Sequence, residues 1–166
     1  LKDQLETARF MRNQSFVDQN RMAIWGWSYG GTMSLLTGMV GSYYKSIISV
    51  APVTNWRYYD NIYSERYLGL PKGNPDGYDK YSPITYAKKL NAELLLIHGT
   101  ADDNVHVQNT IEMQNALIKA NKQYNSFIYP NRNHGIYGGN TRYHLYNMMT
   151  DFLDRTLKEE EKSGEK

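Results

Sequence analysis

Cysteine is absent from the 166-residue chain. A disulfide framework, a thiolate metal site and a cysteine nucleophile are therefore excluded, while the redox compartment stays open. No apolar run approaches the roughly 20 residues that a transmembrane helix needs. Charge of one sign is not in excess either, because the net charge is +2 and both signs are scattered along the chain. Nothing in that distribution indicates nucleic acid or an anionic membrane surface as a partner.

The chain does contain enough apolar material for a folded core. Apolar residues make up 40 % of it, and the 13 glycines bring the total to the usual level of soluble globular proteins. The length is that of one domain. Tyrosine occurs 15 times, which favours amphipathic surfaces such as a ligand pocket, although tyrosine also serves in ordinary half-buried packing.

Short apolar segments predict β-strands, and helical periodicity predicts the helices between them. The predicted strands are 22–25, 46–50, 93–98 and 125–129; the predicted helices are 1–13, 29–39, 107–120 and 141–157, with one helix plus turns over 55–68 and a loop over 71–83. Strands that alternate with helices form a parallel sheet with helices on both faces. Ligands of such sheets bind at the carboxyl ends of the strands, so functional residues are expected just after each strand.

A G-x-S-x-G motif, Gly26-Trp27-Ser28-Tyr29-Gly30, lies between the first predicted strand and the following helix. This placement is typical of a nucleophile elbow, whose sharp turn projects the serine hydroxyl above the sheet. Glycines on both sides let neighbouring backbone come close. The N–H of Tyr29, at the start of a helix, then points to where an oxyanion forms. The alternative is that Ser28 caps that helix.

An acid and an imidazole follow later strands. The third strand ends in His98-Gly99-Thr100-Ala101-Asp102-Asp103-Asn104, and the fourth is followed by Asn133-His134-Gly135. Serine, acid and histidine is the chain order of a triad on this kind of sheet. The imidazole takes the proton of the serine hydroxyl, and the carboxylate fixes the tautomer of the imidazole. The residues alone do not choose between Asp102 and Asp103, and either could cap the helix that begins near Val107.

The remaining histidines are interpreted as structural. His98 ends a buried strand, His106 opens a helix and His144 lies on the last helix. The spacing of potential ligands supports no metal site, and no cofactor is expected.

Five longer segments carry a specific resemblance. They are Gly26-Trp27-Ser28-Tyr29-Gly30-Gly31, Ala51-Pro52-Val53, Trp56-Arg57-Tyr58-Tyr59-Asp60, Tyr63-Ser64-Glu65-Arg66-Tyr67, and His98 through His106. Together they closely resemble the dipeptidyl peptidase IV group of the prolyl oligopeptidase family, with a likeness that runs from about Val17 to Leu153. The resemblance implies the C-terminal part of an α/β-hydrolase catalytic domain over residues 1–157. Residues 158–166 are expected to form a charged, disordered tail.

The resemblance implies roles for particular residues. Ser28 is the implied nucleophile, Asp102 rather than Asp103 the orienting acid, and His134 the base. A small hydrophobic pocket for proline or alanine is implied to be lined by Tyr29, Val53, Trp56, Tyr59, Tyr63 and Val105, and Asn104 is implied to bind a substrate carbonyl. A flat pyrrolidine packs well between aromatic faces. The alternative for Tyr59 and Tyr63 is plain helix packing at i, i+4.

The implied activity is that of a serine peptidase that removes N-terminal dipeptides from peptides with proline or alanine at the second position. Two alternatives stay open, namely an esterase or acylaminoacyl peptidase on the same fold, and a non-catalytic interaction domain. The resemblance also implies extracytoplasmic placement, either periplasmic, secreted or membrane-anchored.

Parts of the implied enzyme are not in this sequence. The family resemblance implies an N-terminal β-propeller, whose glutamates bind the amino terminus of the substrate, and an upstream tyrosine hydroxyl as a second oxyanion donor. The isolated chain is therefore predicted to be nearly inactive. A strand that would pair with residues 22–25 is also expected upstream, so this apolar edge is predicted to drive association into a homo-oligomer.

Overall fold

The computed structural model describes residues 1–158 of the chain. The strands are β1 (Ala23–Trp27), β2 (Ser46–Val50), β3 (Glu93–Gly99) and β4 (Asn125–Tyr129). The α-helices are α1 (Lys2–Arg12), α2 (Tyr29–Gly41), α3 (Asn61–Leu68), α4 (Pro75–Lys80), α5 (Gln108–Lys119) and α6 (Thr141–Leu157), and two 3-10 segments cover Trp56–Tyr58 and Pro83–Lys89. Apart from Lys158, the predicted tail lies outside the described residues. Within 1–158, none of the helices combines the length and apolar character that crossing a membrane requires.

The four strands form one parallel sheet in the order β1-β2-β3-β4. In the register of the ladder, Ile24 pairs with Ile47, and Ile47 pairs with Leu94. Because all four strands run in the same direction, their carboxyl ends meet at one edge of the sheet. That edge carries the connections from β1 to α2, from β3 to α5 and from β4 to α6, where ligands of parallel sheets bind.

Helices cover both faces of the sheet. Successive residues of a strand point to opposite faces, so the burial of adjacent residues shows that both faces are covered. Ile47 and Ile48 are adjacent on β2, and both are fully buried, in two different apolar clusters. One cluster contains residues of α2 and α5 (Leu35, Met39, Met113 and Leu117), and the other contains residues of α6 (Leu145, Met149 and Phe152). Each such buried aliphatic or aromatic side chain contributes about 1.5–3 kcal/mol. The predicted α/β architecture with helices on both faces is confirmed.

The loop predicted for residues 71–83 is wrong in part, because α4 occupies its centre. The side chain of Asn74 accepts the N–H of Gly77 at 3.1 Å, which caps the helix. Pro75 takes the first helical turn, where its missing N–H has no intrahelical partner to lose. Tyr78 is fully buried, so packing holds this short helix in place.

Candidate active site

Ser28 lies on the sharp turn between β1 and α2. Its backbone has φ 58° and ψ −122°, a strained conformation for any residue with a side chain. Its N–H donates to the carbonyl of Val50 at 2.8 Å, which ties the turn to the end of the neighbouring strand. Ser28 occupies the N-cap position of α2, yet its side chain makes no capping hydrogen bond. The hydroxyl is therefore not used as a helix cap.

The steric requirement for glycine at this turn falls on Gly26 and Gly31. A Cβ on Gly26 would collide with the main chain of Gly30, and one on Gly31 would lie 2.8 Å from the carbonyl oxygen of Val50. A Cβ on Gly30 would meet nothing within 4 Å. The expectation that neighbouring backbone comes close to both motif glycines is therefore right for Gly26 and wrong for Gly30. The main chain of Gly30 is itself the backbone that comes close to Gly26.

Tyr29 begins α2, so its main-chain N–H belongs to the first turn of the helix. The N–H groups of a first turn have no intrahelical acceptor, and the helix dipole favours negative charge beside them. The role of this N–H as an oxyanion donor stays a prediction, which the position of Tyr29 directly after Ser28 allows. The Tyr29 ring is half exposed.

Asp102 and His134 lie 32 positions apart and meet at the carboxyl edge of the sheet. Nδ1 of His134 lies 2.7 Å from Oδ2 of Asp102. The other carboxylate oxygen, Oδ1, accepts the main-chain N–H groups of Asn104 at 3.0 Å and Val105 at 2.9 Å. Because Nδ1 faces the carboxylate, Nε2 is left free to exchange a proton with a hydroxyl.

The two neighbouring aspartates have different environments. Asp102 is buried, whereas Asp103 is exposed and makes no hydrogen bond or ion pair with the described part of the chain. The structure thus pairs the imidazole of His134 with Asp102. Neither aspartate caps the following helix, because the N-cap of α5 is Val107 and has no side-chain capping bond. The alternative that one of them caps α5 is wrong.

Asp102 is held as a carboxylate by its surroundings. Burial raises the pKa of its carboxyl, but the imidazole N–H groups that face it from His134 and His98 lower the pKa by more. The net result is a pKa well below the ordinary value of 3.8. Asp102 is accordingly negative at neutral pH.

His98 is a contact of this site that the sequence interpretation missed. Its Nε2 lies 3.2 Å from Oδ2 of Asp102, and its side chain is completely buried. The placement at the end of a buried strand was correctly predicted, but the strand pattern alone does not show that the following loop folds back onto the ring. His144 is different, since its Nδ1 bonds the hydroxyl of Tyr129 at 2.7 Å beside β4. His106 is exposed.

The loop that carries His134 is attached to the turn that carries Ser28. The indole Nε1–H of Trp27 donates to the carbonyl of His134 at 2.9 Å. The guanidinium of Arg142 lies 5.5 Å from the Trp27 ring centroid and donates to the carbonyl of Gly135 at 3.0 and 3.2 Å. Within residues 1–158 the Ser28 hydroxyl makes no hydrogen bond to the imidazole; such bonds are often long before substrate binds.

An apolar cavity of about 460 Å³ opens beside Tyr29. Of the predicted pocket residues, Tyr29, Trp56 and Tyr63 line it. The Trp56 and Tyr63 rings are stacked, with centroids 5.8 Å apart and planes inclined by 19°. Its size lies in the range of about 300–1,000 Å³ that is usual for small-molecule sites.

The other predicted pocket residues do not line this cavity, and Tyr59 and Asn104 line a separate one. Val53, Tyr59 and Val105 belong to one apolar cluster with Trp56. The hydroxyl of Tyr59 donates to Oδ1 of Asn104 at 2.8 Å, which leaves the amide N–H groups of Asn104 free of that bond. Tyr59 has extended backbone before α3 begins, so its 5.5 Å ring contact with Tyr63 is not helical i, i+4 packing.

A serine on a strained strand-to-helix turn and a buried carboxylate paired with a partly exposed imidazole, at one edge of a parallel sheet, define the α/β-hydrolase class. A sequence model described as "Prolyl oligopeptidase family" matches residues 1–160. The chain therefore belongs to the prolyl oligopeptidase family.

Several similar proteins carry dipeptidyl peptidase names. The chain is 43 % identical over 156 residues to "Probable dipeptidyl-aminopeptidase B" of Coccidioides posadasii, which covers 91 % of the chain and 17 % of that protein. It is 43 % identical over 157 residues to "Dipeptidyl peptidase 4" of Felis catus, which covers 92 % of the chain and 20 % of that protein. The crystal structure of Porphyromonas gingivalis dipeptidyl peptidase 4 superimposes with a TM-score of 0.92 at 45 % identity, over 94 % of the chain and 22 % of that structure. The chain thus spans about a fifth of the length of these relatives.

Proposed function

We propose that this chain is the catalytic part of a serine peptidase that removes N-terminal dipeptides after a penultimate proline or alanine. The observation that carries the proposal is the 2.7 Å contact between Nδ1 of His134 and the buried carboxylate of Asp102, at the sheet edge where Ser28 lies on its strained turn. The names of several relatives support the release of dipeptides, since the two curated relatives and the solved structure named above are dipeptidyl peptidases by name.

In the proposed reaction, Nε2 of His134 removes the proton of the Ser28 hydroxyl as Oγ attacks the carbonyl carbon of the second substrate residue. The bond between Oγ and that carbon forms, and the carbonyl oxygen becomes an oxyanion next to the N–H of Tyr29. The protonated imidazole then gives its proton to the leaving amine as the peptide C–N bond breaks. Water hydrolyses the acyl-enzyme by the same route, and Asp102 orients and stabilises the imidazolium throughout.

The aromatic cavity accounts for the proposed preference for proline or alanine. A pyrrolidine ring packs flat against an aromatic face, and the stacked rings of Trp56 and Tyr63 form one wall of the cavity. We assign Val53, Tyr59 and Val105 to the support of that wall, because they pack in the cluster of Trp56. Asn104, whose Oδ1 is engaged by Tyr59, presents its amide N–H to a substrate carbonyl.

We further propose that the isolated chain is nearly inactive. The family resemblance implies that the glutamates that bind the substrate's amino terminus and a tyrosine that donates to the oxyanion belong to other parts of the same protein. The loss of one oxyanion donor costs on the order of 10²–10³ in rate. Robust turnover of a Gly-Pro chromogenic substrate by the isolated chain would refute this proposal.

Extracytoplasmic placement of the whole protein is proposed on the family resemblance alone. Fractionation of the source cells, with an antibody against this chain, tests it. The protein is expected in the periplasmic, secreted or membrane fraction, and recovery with cytosolic markers would contradict the proposal.

The function is tested on the full-length protein with p-nitroanilide substrates. Gly-Pro and Ala-Ala derivatives are expected to be cleaved, whereas Gly-Leu and N-acetyl-Gly-Pro derivatives are expected to be cleaved poorly. The Ser28→Ala variant is the control for background turnover. Hydrolysis of acyl esters and N-acetyl-alanine derivatives without preference for proline would instead indicate the esterase or acylaminoacyl peptidase. Turnover of none of these substrates, above the Ser28→Ala background, would indicate the non-catalytic interaction domain.

A further inference from the structure

His98 is a completely buried imidazole whose two ring nitrogens both have partners. Nδ1 lies 2.7 Å from the hydroxyl oxygen of Thr110 on α5. Nε2 lies 2.7 Å from the carbonyl oxygen of Val105 and 3.2 Å from Oδ2 of Asp102. The ring therefore connects the end of β3, the loop that follows it and the helix after that loop.

These partners determine the tautomer of His98. A carbonyl oxygen and an ionised carboxylate accept hydrogen bonds and do not donate them, so Nε2 carries the proton. A threonine hydroxyl can donate, which lets Nδ1 accept from Thr110 while the ring stays neutral. A neutral ring satisfies all three contacts without placing a further buried charge, which burial disfavours.

Oδ2 of Asp102 is consequently in contact with two imidazoles, because it accepts from His134 at 2.7 Å and lies 3.2 Å from Nε2 of His98, whose N–H donates to the carbonyl of Val105. Oδ1 accepts two main-chain N–H groups. The carboxylate is thus fixed on both oxygens, and its rotation about χ2 would break at least one of these bonds.

We propose that His98, as the neutral Nε2–H tautomer set by Thr110, is a positioning residue for the Asp102–His134 pair. Its Nε2–H donates to the carbonyl of Val105 and faces Oδ2 of Asp102 at 3.2 Å, which keeps the loop after β3 and the carboxylate in place. This inference rests on the proposed function, since it needs His134 to be the base. His98 itself does not touch the reacting atoms.

Because Oδ2 of Asp102 contacts both imidazoles, the removal of His98 is predicted to change the pH dependence of kcat/KM. His98 draws electron density from Oδ2, so its removal makes Asp102 a stronger acceptor for His134 and stabilises the imidazolium. Asp102 is the charged group in contact with His98 within residues 1–158, His134 shares that carboxylate, and Thr110 on the facing helix does not titrate. Loss of His98 is therefore expected to move the acid limb of kcat/KM to higher pH.

The experiment compares three variants of the full-length protein with the wild type. His98→Met removes both ring nitrogens, His98→Gln retains an N–H near the position of Nε2, and Thr110→Val removes the hydroxyl that sets the tautomer. We expect His98→Met to lower kcat on the order of 10- to 100-fold with little change in KM, because it removes the hydrogen bond to Val105 and the polar contact with a charged group. His98→Gln is expected to recover most of the activity and the wild-type acid limb, and Thr110→Val to lower kcat less than His98→Met.

Titration of the active serine with a fluorophosphonate counts the competent molecules, so a loss of folded protein does not imitate a loss of kcat. Wild-type kcat and pH profile in His98→Met, or His98→Gln no better than His98→Met, would overturn the inference. If His98→Met does not fold, the comparison of His98→Gln with Thr110→Val decides, and equal kcat to wild type in Thr110→Val would overturn it. Failure of the wild type to turn over substrate would instead refute the proposed function.

Discussion

The indole N–H of Trp27 bonds to the main-chain carbonyl of His134 at 2.9 Å, across 107 positions of sequence. Trp27 directly precedes Ser28, so its side chain joins the turn that carries Ser28 to the loop that carries His134. Arg142 reinforces the link, because it contacts the Trp27 ring and binds the carbonyl of Gly135. The position of His134 relative to Ser28 is therefore fixed through the main chain of the loop that carries His134, in addition to the contact of its imidazole with Asp102.

Removal of the hydrogen bond from the Trp27 indole to the His134 carbonyl is predicted to impair catalysis more than folding. Trp27→Phe keeps an aromatic ring but removes the donor, and a net loss of about 1 kcal/mol for such a bond corresponds to a roughly fivefold lower kcat/KM. The measurement is steady-state kinetics with a Gly-Pro substrate in the full-length protein. Trp25→Phe is the matched control, since Trp25 is on the same strand but is 53 % exposed. Equal activity of both variants would contradict a positioning role for the indole N–H.

The two glycines of the G-x-S-x-G motif are predicted to differ in their tolerance of a methyl group. Gly26→Ala forces a Cβ into the main chain of Gly30 and should destabilise the protein by about 1–3 kcal/mol or more. Gly30→Ala meets no atom within 4 Å and lies in a helix, where alanine is favoured over glycine. Thermal unfolding of the two variants checks this. A Gly30→Ala variant as unstable as Gly26→Ala would show that the steric account is wrong.

The two adjacent aspartates are predicted to have unequal effects on activity. Asp102→Asn should lower kcat on the order of 10⁴-fold, the effect of the corresponding change in a serine protease of another fold. Asp103→Asn is the control and should leave kcat nearly unchanged, because Asp103 is exposed. Steady-state kinetics of the two variants decides. A large loss in Asp103→Asn would contradict the pairing of His134 with Asp102.

Asp102 also predicts how stability depends on pH. Because its pKa is lower in the folded state than the unfolded value of about 3.9, its stabilising contribution is present above that value. The contribution is lost as pH falls through the depressed pKa of the folded state. Denaturant unfolding at a series of acid pH values should therefore show a flatter profile for Asp102→Asn than for wild type. Parallel profiles would contradict the depressed pKa.

The exposed strand edge is predicted to make the isolated chain associate. Within residues 1–158, β1 pairs with β2 only, and Trp25 on β1 is 53 % exposed. Open apolar edges tend to pair with another chain, and lysine on an edge strand opposes such pairing. Light scattering should show oligomers that Trp25→Lys reduces, whereas Phe16→Lys, at another exposed aromatic, should not. A clean monomer of the unmodified chain at high concentration would count against the prediction.

The alternation of apolar segments predicted the sheet well, because strands buried on both faces, such as Leu94 to Ile97 on β3, are distinctive in sequence. The short helix α4 was missed because its asparagine, proline and glycine also favour loops. The pair Asn74-Pro75 was nevertheless a usable signal, as an N-cap residue followed by proline in the first turn.

The candidate site was predictable where it depends on a local motif, and less so where it depends on loop closure. The turn at Ser28 follows from its glycines, whereas the contact of His98 with Asp102 requires the loop after β3 to fold back on the strand. The pairing with Asp102 instead of Asp103 likewise depends on which carboxylate faces the interior, which spacing of one residue does not reveal.

The most direct test of the proposed triad is the rate at which a fluorophosphonate labels Ser28 in the full-length protein. The rate is measured as a function of pH, and the labelled residue is identified by peptide mass spectrometry. We predict labelling at Ser28 that slows toward acid pH as His134 becomes protonated and that is abolished in His134→Gln. Labelling at another residue, no labelling, or a rate that is flat from about pH 5 to 8, where imidazole titrates, would contradict the assignment.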